Sequence, residues 1–369
     1  LPNGFAGGSL LIPDVIRRDD RVRVLDEAAH VLGVGDLKKR CCDAAQGDLL
    51  VELDHDDMLD PRALMTLAGA AAKAPDGFYY SDCAYFTDSD RGQQPVLFDK
   101  RMGWETYALV VPPGEPARTA HRAWPVSPRS LCELLFAPDH VRCWSRKAYE
   151  ASLGHDPTKA LGDDLDLLIR TYLAGVPFVH VQDCLYYYRY HGANTSQVRN
   201  AEIQTMQSQL RDAYLSRLIE AWITRNDLYA WTPEPGDYCG MGRRASSSLG
   251  HLTLRGDFLP MLTGDQTTLC FNEAHRLLQP GGYLTIEAPY ANGALAHAPH
   301  YRSHWNRRTL DYYTDKEYAS RLPGNAARFQ LIRYALVDET PDEPLAYRLR
   351  MRAELISLKD HRPPGLIRI

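Results

Sequence analysis

The sequence predicts an α/β protein in two parts: a larger Rossmann-like domain over residues 1–228 and a smaller, incomplete Rossmann-like domain over residues 229–369. Three observations predict it. Strand-like and helical runs alternate from Arg21 to Val181, the pattern of a sheet with helices on its faces. One strand-like run, Leu49-Leu50-Val51-Glu52-Leu53, stops in a cluster of carboxylates, and open α/β sheets place their ligands at the carboxyl ends of strands. Beyond a Pro- and Gly-rich boundary at Trp231-Thr232-Pro233-Glu234-Pro235-Gly236, a second helix–turn–strand unit runs from Asn272 to Pro289.

Taken in order, Arg21-Val22-Arg23-Val24-Leu25 reads as a strand. Leu32-Gly33-Val34-Gly35 leads into a helix through Lys38 to Ala45. Leu49 to Leu53 is an apolar run, read as a buried strand. Asp60-Pro61 reads as an N-cap with Pro at the first helical position, ahead of Ala63-Leu64-Met65-Thr66-Leu67. Phe78 to Asp82 is a strand with an acid at its end. Residues 111 to 128, rich in Pro, Arg and Ala, read as a mobile loop over an acceptor cleft. From Asn200 to Arg225 the apolar residues Ile203, Met206, Leu210, Tyr214, Leu218 and Trp222 fall at helical spacing and predict a long helix that closes the first domain by packing.

Composition narrows the function classes. The chain has 369 residues, 44% of them hydrophobic and 24% charged, enough for two or three domains with ample core. A net charge of −5 argues against a nucleic-acid or anionic-membrane surface. No apolar run approaches the ~20 residues that a membrane helix needs, and no secretory signal is visible. The eight cysteines show no C-x-x-C pairing and read as scattered reduced thiols in a cytoplasmic protein. Asn194-Thr195-Ser196 matches a glycosylation sequon but is expected to be a local turn.

The carboxylate cluster carries the chemistry. Asp54, Asp56 and Asp57 lie within four residues and repel one another unless a cation or solvent offsets the charge. Hard divalent cations such as Mg²⁺ or Mn²⁺ prefer such oxygen ligands and usually bring a diphosphate with them. The plain alternative is a solvated acidic turn capping a helix.

The company of this cluster resembles the family 2 glycosyltransferases of the GT-A fold, over about residues 20 to 205. Asp54-His55-Asp56 stands where that family has its DxD motif. Leu32 to Ala45 is similar to its "NxGxxxARNxG" segment, with a drifted second half. Phe78-Tyr79-Tyr80-Ser81-Asp82 resembles its "xxYSD" strand end, followed by a loop (Thr87 to Gly92) and a Pro-x-x-Phe-x-Lys stretch (Pro95 to Lys100). Pro138 to Arg146 resembles the strand lining the acceptor side, and Gly154-His155-Asp156 the "GGFD" turn. Gly162-Asp163-Asp164-Leu165-Asp166-Leu167-Leu168-Ile169-Arg170 resembles the "EDxDLxxR" helix start, and Tyr188 to Ser196 the "YRxHxxNxS" segment. No counterpart of the family's first strand, with its "PxYN" signature, precedes Arg21; the nucleobase end of the donor site is expected to be missing or built differently.

The resemblance implies a metal-dependent, inverting transfer of a sugar from a nucleotide-diphosphate donor, a UDP-sugar above all, to a hydroxyl of a glycan, lipid or protein. Asp54 and Asp56, with Asp82, would contact the donor. Asp56, Asp54 and His191 would hold Mn²⁺ or Mg²⁺ to neutralise charge on the departing diphosphate. Asp164 matches the base position, and Asp163 replaces the family's usual Glu. A carboxylate at a helix start is held ionised by backbone N–H groups, as a base requires. The alternative is N-capping by Asp163 with Asp164 solvated. Arg170 is expected to pair with an internal carboxylate. Trp104, His140 and Trp144 are candidates for the acceptor side, the tryptophans by stacking on sugar faces; aromatics also serve as core.

In the second part, Asn272 to Pro289, and Pro299-His300-Tyr301-Arg302-Ser303-His304-Trp305-Asn306 with Tyr312-Tyr313-Thr314, resemble late segments of class I S-adenosylmethionine-dependent methyltransferases. That fold binds its cofactor on a glycine-rich turn after the first strand. Cys239-Gly240-Met241-Gly242 superficially looks like such a turn, but Pro233 to Asp237 before it is no strand. About thirty residues to Asn272 are too few for three strands with crossovers. S-adenosylmethionine binding is therefore not expected, and a role in packing or homo-oligomerisation is. Two rival functions remain open: a methyltransferase acting on a glycan, and a non-catalytic carbohydrate-binding or assembly protein.

Overall fold

The computed structural model describes residues 18–25, 33–87, 104–110, 118–134, 138–191, 193–233, 241–338 and 349–359. The chain is a mixed α/β protein that divides into two compact units, changing over near Tyr214.

The first unit is built on a seven-stranded sheet. Its central strand β3 (Phe78–Phe86) is buried along nearly its whole length. The sequence explains why: Phe78, Tyr79, Tyr80, Cys83, Ala84 and Tyr85 put apolar side chains on both faces, as a strand covered on both sides requires. β3 pairs in parallel with β7 (Phe178–Arg189) and antiparallel with β5 (Thr119–His121) and β6 (Arg142–Ser145). β6 in turn pairs antiparallel with β1 (Leu49–Val51), β5 with β4 (Thr106–Ala108), and β7 with the two-residue β2 (Met58–Leu59). The sheet is thus mixed, with β3 and β7 as its parallel pair.

Helices α1 (Val34–Ala44), α2 (Ala63–Lys73), α3 (Arg146–Ala151) and α4 (Asp163–Leu173) complete the part that carries the site. α1 enters beside the loop that precedes α4. The Gly35 N–H donates to the Lys159 carbonyl at 3.1 Å, and a Cβ on Gly35 would fall 2.3 Å from the Asp156 carbonyl oxygen. Only a glycine lets α1 approach so closely, and this approach sets Lys38 beside the start of α4.

Several expectations are corrected here. Arg21–Leu25 is irregular chain, with Val22 and Val24 exposed and no strand partner among the described residues. The strand expected over Leu49–Leu53 stops at Val51, and Leu53 is half exposed. α2 starts at Ala63, after a turn in which an Asp60 carboxylate oxygen accepts the Arg62 N–H at 2.9 Å. In the stretch read as a loop, Thr119–His121 forms β5, while residues 111–117 lie outside the described residues, as do 88–92 and Pro95–Lys100.

The long helix α5 (Asn200–Arg225) has the bounds its apolar spacing predicts, burying Leu210, Leu218 and Trp222. The second unit carries a five-stranded sheet in the order β11 (Phe329–Asp338), β12 (Leu349–Ser357), β10 (Leu278–Pro289), β9 (Leu249–Leu254), β8 (Tyr229–Trp231). β8, β9 and β10 are parallel, and β12 runs antiparallel between β10 and β11. Helix α6 (Gly264–Leu277) begins with a capping box between Thr263 and Gln266. It ends before Pro280-Gly281-Gly282, which instead makes an irregularity inside β10, with Gly281 at φ 77°. A short strand, β8, does precede the Cys239–Gly242 segment; Cys239 and Gly240 lie outside the described residues, and Met241 is fully buried.

Candidate active site

Past the end of β1 the chain turns through Asp54 to Asp57, and β7 supplies what holds that turn. The Tyr186 hydroxyl donates to Asp57 Oδ2 at 2.7 Å and accepts the Asp54 N–H at 3.3 Å. The Arg189 N–H donates to Asp57 Oδ1 at 2.7 Å, and the Arg189 guanidinium donates to the Asp56 carbonyl at 2.6 Å. The His191 Nε2 lies 2.9 Å from Asp56 Oδ2. Asp56 and His191, 135 positions apart in sequence, therefore meet. Burial raises the Asp56 pKa, but the His191 hydrogen bond, a backbone hydrogen bond and the charges of His55 and His191 together outweigh it and leave the group below its ordinary value. Asp57 goes the other way: burial, with the charges of Asp56 and Asp54, pushes it up to about 7 against its two hydrogen bonds.

His140, expected on the acceptor side, is buried and stacks on Tyr186 at 4.4 Å between ring centroids. Burial, then the Arg142 charge, lowers its pKa, which keeps the ring neutral at pH 7. Ligand atoms of His140, Asp54 and Asp57 all lie within 4.8 Å of one another. Two carboxylates and a neutral imidazole at that spacing suit a divalent cation, so the residues present fit the metal that the resemblance implies.

On the other side of Asp54 lies a buried ionic network. The Lys38 ammonium is 3.0 Å from Glu52, 3.7 Å from Asp163 and 4.0 Å from Asp54. His155 Nε2 is 2.8 Å from Glu52 and 3.7 Å from Asp163, and its Nδ1 pairs with the Tyr149 hydroxyl at 2.9 Å. Arg142 is 3.7 Å from Glu52 and 2.9 Å from Asp164. The network splits the two acids at the start of α4. Asp163 is buried, and burial pushes its pKa up despite the Lys38 charge. Asp164 is partly exposed; burial opposes its ionisation, but Arg142 and Lys38 outweigh that and hold its pKa down. Neither caps the helix in the expected way: Gly162, at φ 65°, occupies the cap position.

Three of the remaining candidates, Asp82, Trp144 and Trp104, are placed differently from expectation. Asp82 lies in the middle of β3 with no exposed surface. Its oxygens accept from the Ala123 N–H at 3.0 Å and the Tyr107 hydroxyl at 2.9 Å, and pair with His180 at 2.7 Å. A carboxylate so enclosed braces the sheet and does not reach a donor sugar. Trp144 is fully buried, 4.7 Å from the Phe78 ring, and its indole N–H donates to Thr171 Oγ1 at 3.0 Å. Trp104 is buried edge-on to Trp124 and His121. Neither ring offers a face to a sugar; both are core. Arg170 does pair with an internal carboxylate, Asp166, at 2.8 Å. Asn194 is buried and holds a local turn, accepting the His191 N–H at 2.6 Å. The seven described cysteines are free thiols, and one of them, Cys83, shares a second buried cluster with His121 and Asp139.

Sequence reasoning left Lys38, Glu52, Arg142 and His155 without a role and did not commit Asp57 as a ligand. The available signal was weak: charged residues inside otherwise apolar runs, as with Glu52 between Val51 and Leu53.

No protein-family profile matches the sequence, and no curated protein matches it. Among solved structures, the chain is similar to TarS 1–349 of S. aureus in complex with UDP-GlcNAc, at 13% identity and a TM-score of 0.37, over 57% of this chain and 59% of that one. A second structure of S. aureus TarS matches at 12% identity and a TM-score of 0.32, over 67% of this chain and 41% of that one. A SAM-dependent methyltransferase from Methanosarcina mazei matches at 15% identity and a TM-score of 0.23, over 31% of this chain and 62% of that one. The chain spans roughly half the length of the TarS structures it matches.

Proposed function

We propose that the first unit transfers a sugar, with inversion, from a nucleotide-diphosphate donor to an acceptor hydroxyl, and that it needs a divalent cation to do so. One observation carries the reading. The carboxylates after β1 and the paired acids at the start of α4 are brought to the two ends of a single ionic network, with Lys38 within 4.0 Å of both Asp54 and Asp163. A diphosphate site next to a general base is what glycosyl transfer needs, and a packing role does not require it.

In this reading a cation at the Asp54–Asp57 turn supplies charge neutralisation for the leaving diphosphate. Asp164 is the base. Its partly exposed carboxylate is ionised at neutral pH and held in direction by Arg142 at 2.9 Å. It takes the proton of the acceptor hydroxyl as that oxygen bonds to the anomeric carbon and the bond to the diphosphate breaks. Asp163, beneath it, positions Lys38 and His155. Asp56 and His191 fix the turn that carries the carboxylates. The division of labour between residues 1–228 and 229–369 belongs to the same proposal: the second part has no catalytic role in this reaction and serves packing or oligomerisation.

The test is turnover with a panel of UDP-sugars and hydroxyl acceptors in Mn²⁺, comparing wild type with Asp164→Asn. Metal-dependent product that is lost in the variant, with donor binding retained, supports the reading; equal turnover in both refutes the assignment of the base.

A further inference from the structure

We propose that Cys83, His121 and Asp139 form an enclosed zinc site inside the first unit, separate from the carboxylate turn. It does not depend on the reaction proposed above.

The sheet brings the three donors together. Cys83 on β3 and His121 on β5 are register partners, so their side chains leave the same face of the sheet as direct cross-strand neighbours. Asp139 comes from the chain just ahead of β6. A sulfur, a ring nitrogen and a carboxylate oxygen of these residues all lie within 4.8 Å of one another. His121 Nε2 is 3.4 Å from Asp139 Oδ2. That is longer than the roughly 2.7–3.2 Å of a good N–H···O hydrogen bond. It matches the separation of about 3.3–3.6 Å between two nitrogen or oxygen ligands held at about 2.0–2.2 Å on a tetrahedral ion.

The surroundings hold the donors in place. The Trp104 ring stands edge-on to His121 at 5.3 Å between centroids, and the Tyr85 ring lies tilted against it at 5.5 Å. The Tyr85 hydroxyl donates to Asp139 Oδ2 at 2.9 Å, and a hydrogen bond of this kind orients a ligating carboxylate. Cys83, His121 and Asp139 are 0%, 3% and 2% exposed, so the environment penalises any net charge. A thiolate, a carboxylate and a neutral imidazole around Zn²⁺ sum to zero. Binding forms the zinc–sulfur bond and releases the thiol proton to solvent. Sulfur and nitrogen in the donor set select zinc and disfavour Mg²⁺ and Mn²⁺, the oxygen-seeking cations suited to the carboxylate turn. Three protein ligands leave the fourth position of the tetrahedron to a water. The ion would tie β3, β5 and the chain ahead of β6, closing the loops between them.

The experiment produces the full chain in zinc-supplemented medium and passes it through gel filtration with a chelator. Bound zinc is counted by mass spectrometry, and its ligands are read by X-ray absorption. Wild type is compared with Cys83→Ala, His121→Gln, Asp54→Ala and the double variant Cys41→Ser/Cys42→Ser, each with its melting transition. Wild type should hold about one zinc per chain, with one sulfur at about 2.3 Å and lighter ligands at about 2.0–2.2 Å. Cys83→Ala and His121→Gln should fall to background. Asp54→Ala should keep its zinc, which separates this site from the carboxylate turn, and so should the double variant, which excludes the two cysteines of α1. A folded wild type without zinc, zinc without sulfur, or zinc that survives Cys83→Ala overturns the proposal, as does zinc lost in Asp54→Ala or in the double variant. Should Cys83→Ala lose its native transition, His121→Gln decides in the same way. Should both lose it, one sulfur in the wild-type spectrum that persists in the double variant supports the site, and its absence refutes it.

Discussion

Replacing Lys38 by Met tests the network at its centre. The ammonium, largely buried, lies 3.0 Å from Glu52, 3.7 Å from Asp163 and 4.0 Å from Asp54. Met keeps most of the stem's volume and removes the charge. Glu52 and Asp163, both almost enclosed, then face each other with His155 and Arg142 as their remaining partners. Breaking a buried ion pair by removing one member costs about 3–5 kcal/mol, because the other charge is left uncompensated. With a urea slope of about 1–3 kcal/mol per molar, the unfolding midpoint should fall by about 1–5 M.

The pH dependence of that loss carries the sign. Burial already raises the Asp163 pKa, and removing Lys38 raises it further. A carboxylate with a raised folded pKa contributes stability below its ordinary value near 4, and that contribution is lost as pH rises through the raised value. Below that point Asp163 is protonated and has no need of the ammonium. The gap between wild type and Lys38→Met should therefore be widest near pH 8 and narrow steadily towards pH 4.5. Urea unfolding at several pH values measures it. A gap under about 1 kcal/mol, the range of a surface pair, or one that is flat with pH, would refute the reasoning.

Three further outcomes follow from the same geometry. Asp164→Asn should lower kcat by about 10²- to 10⁴-fold while leaving donor affinity nearly unchanged, and should lower the melting temperature, because the buried Arg142 keeps a hydrogen bond to the amide but has only Glu52, at 3.7 Å, left as an ionised partner; calorimetry and steady-state rates separate the two. Trp144→Ala should cost about 3–5 kcal/mol of stability, and Trp144→Phe much less, with no selective rise in the acceptor KM; a KM effect without a stability effect would return Trp144 to the acceptor side. Asp139 is enclosed, and although burial opposes its ionisation, its bond to His121 and the charges of His140, His121 and Arg142 bring its pKa down to about 2. Its contribution, about 2 kcal/mol for such a shift, is present above pH 4 and is lost as pH falls towards 2. Asp139→Asn should flatten that part of the acid-unfolding curve.

What the sequence made legible was local or ordered along the chain. The α/β class followed from alternating periodicities, and the bounds of Asn200–Arg225 from helical spacing, because one buried face fixes the period. The meeting of Asp56 with His191 followed from the order of segments, since both stand where chain reversals end strands. Burial was harder to read. Trp104, Trp144 and Asp82 carry side chains that serve equally well in a core and in a cleft, and only the sheet register, with Phe78 opposite Trp144, decides between them. The Lys38–Glu52–Asp163 contacts join residues from α1, the end of β1 and α4, and no period in the chain encodes that approach. The strand expected at Arg21–Leu25 shows the opposite error: alternation without a partner strand among the described residues leaves Val24 exposed.

The most direct test of the central claim is calorimetric titration of UDP-sugars into the full chain, with and without Mn²⁺, for wild type and Asp54→Ala. Binding that depends on Mn²⁺ and disappears in Asp54→Ala is the predicted result. Failure of every nucleotide-sugar to bind, or binding indifferent to both Mn²⁺ and Asp54, would contradict the reading of this turn as the donor site.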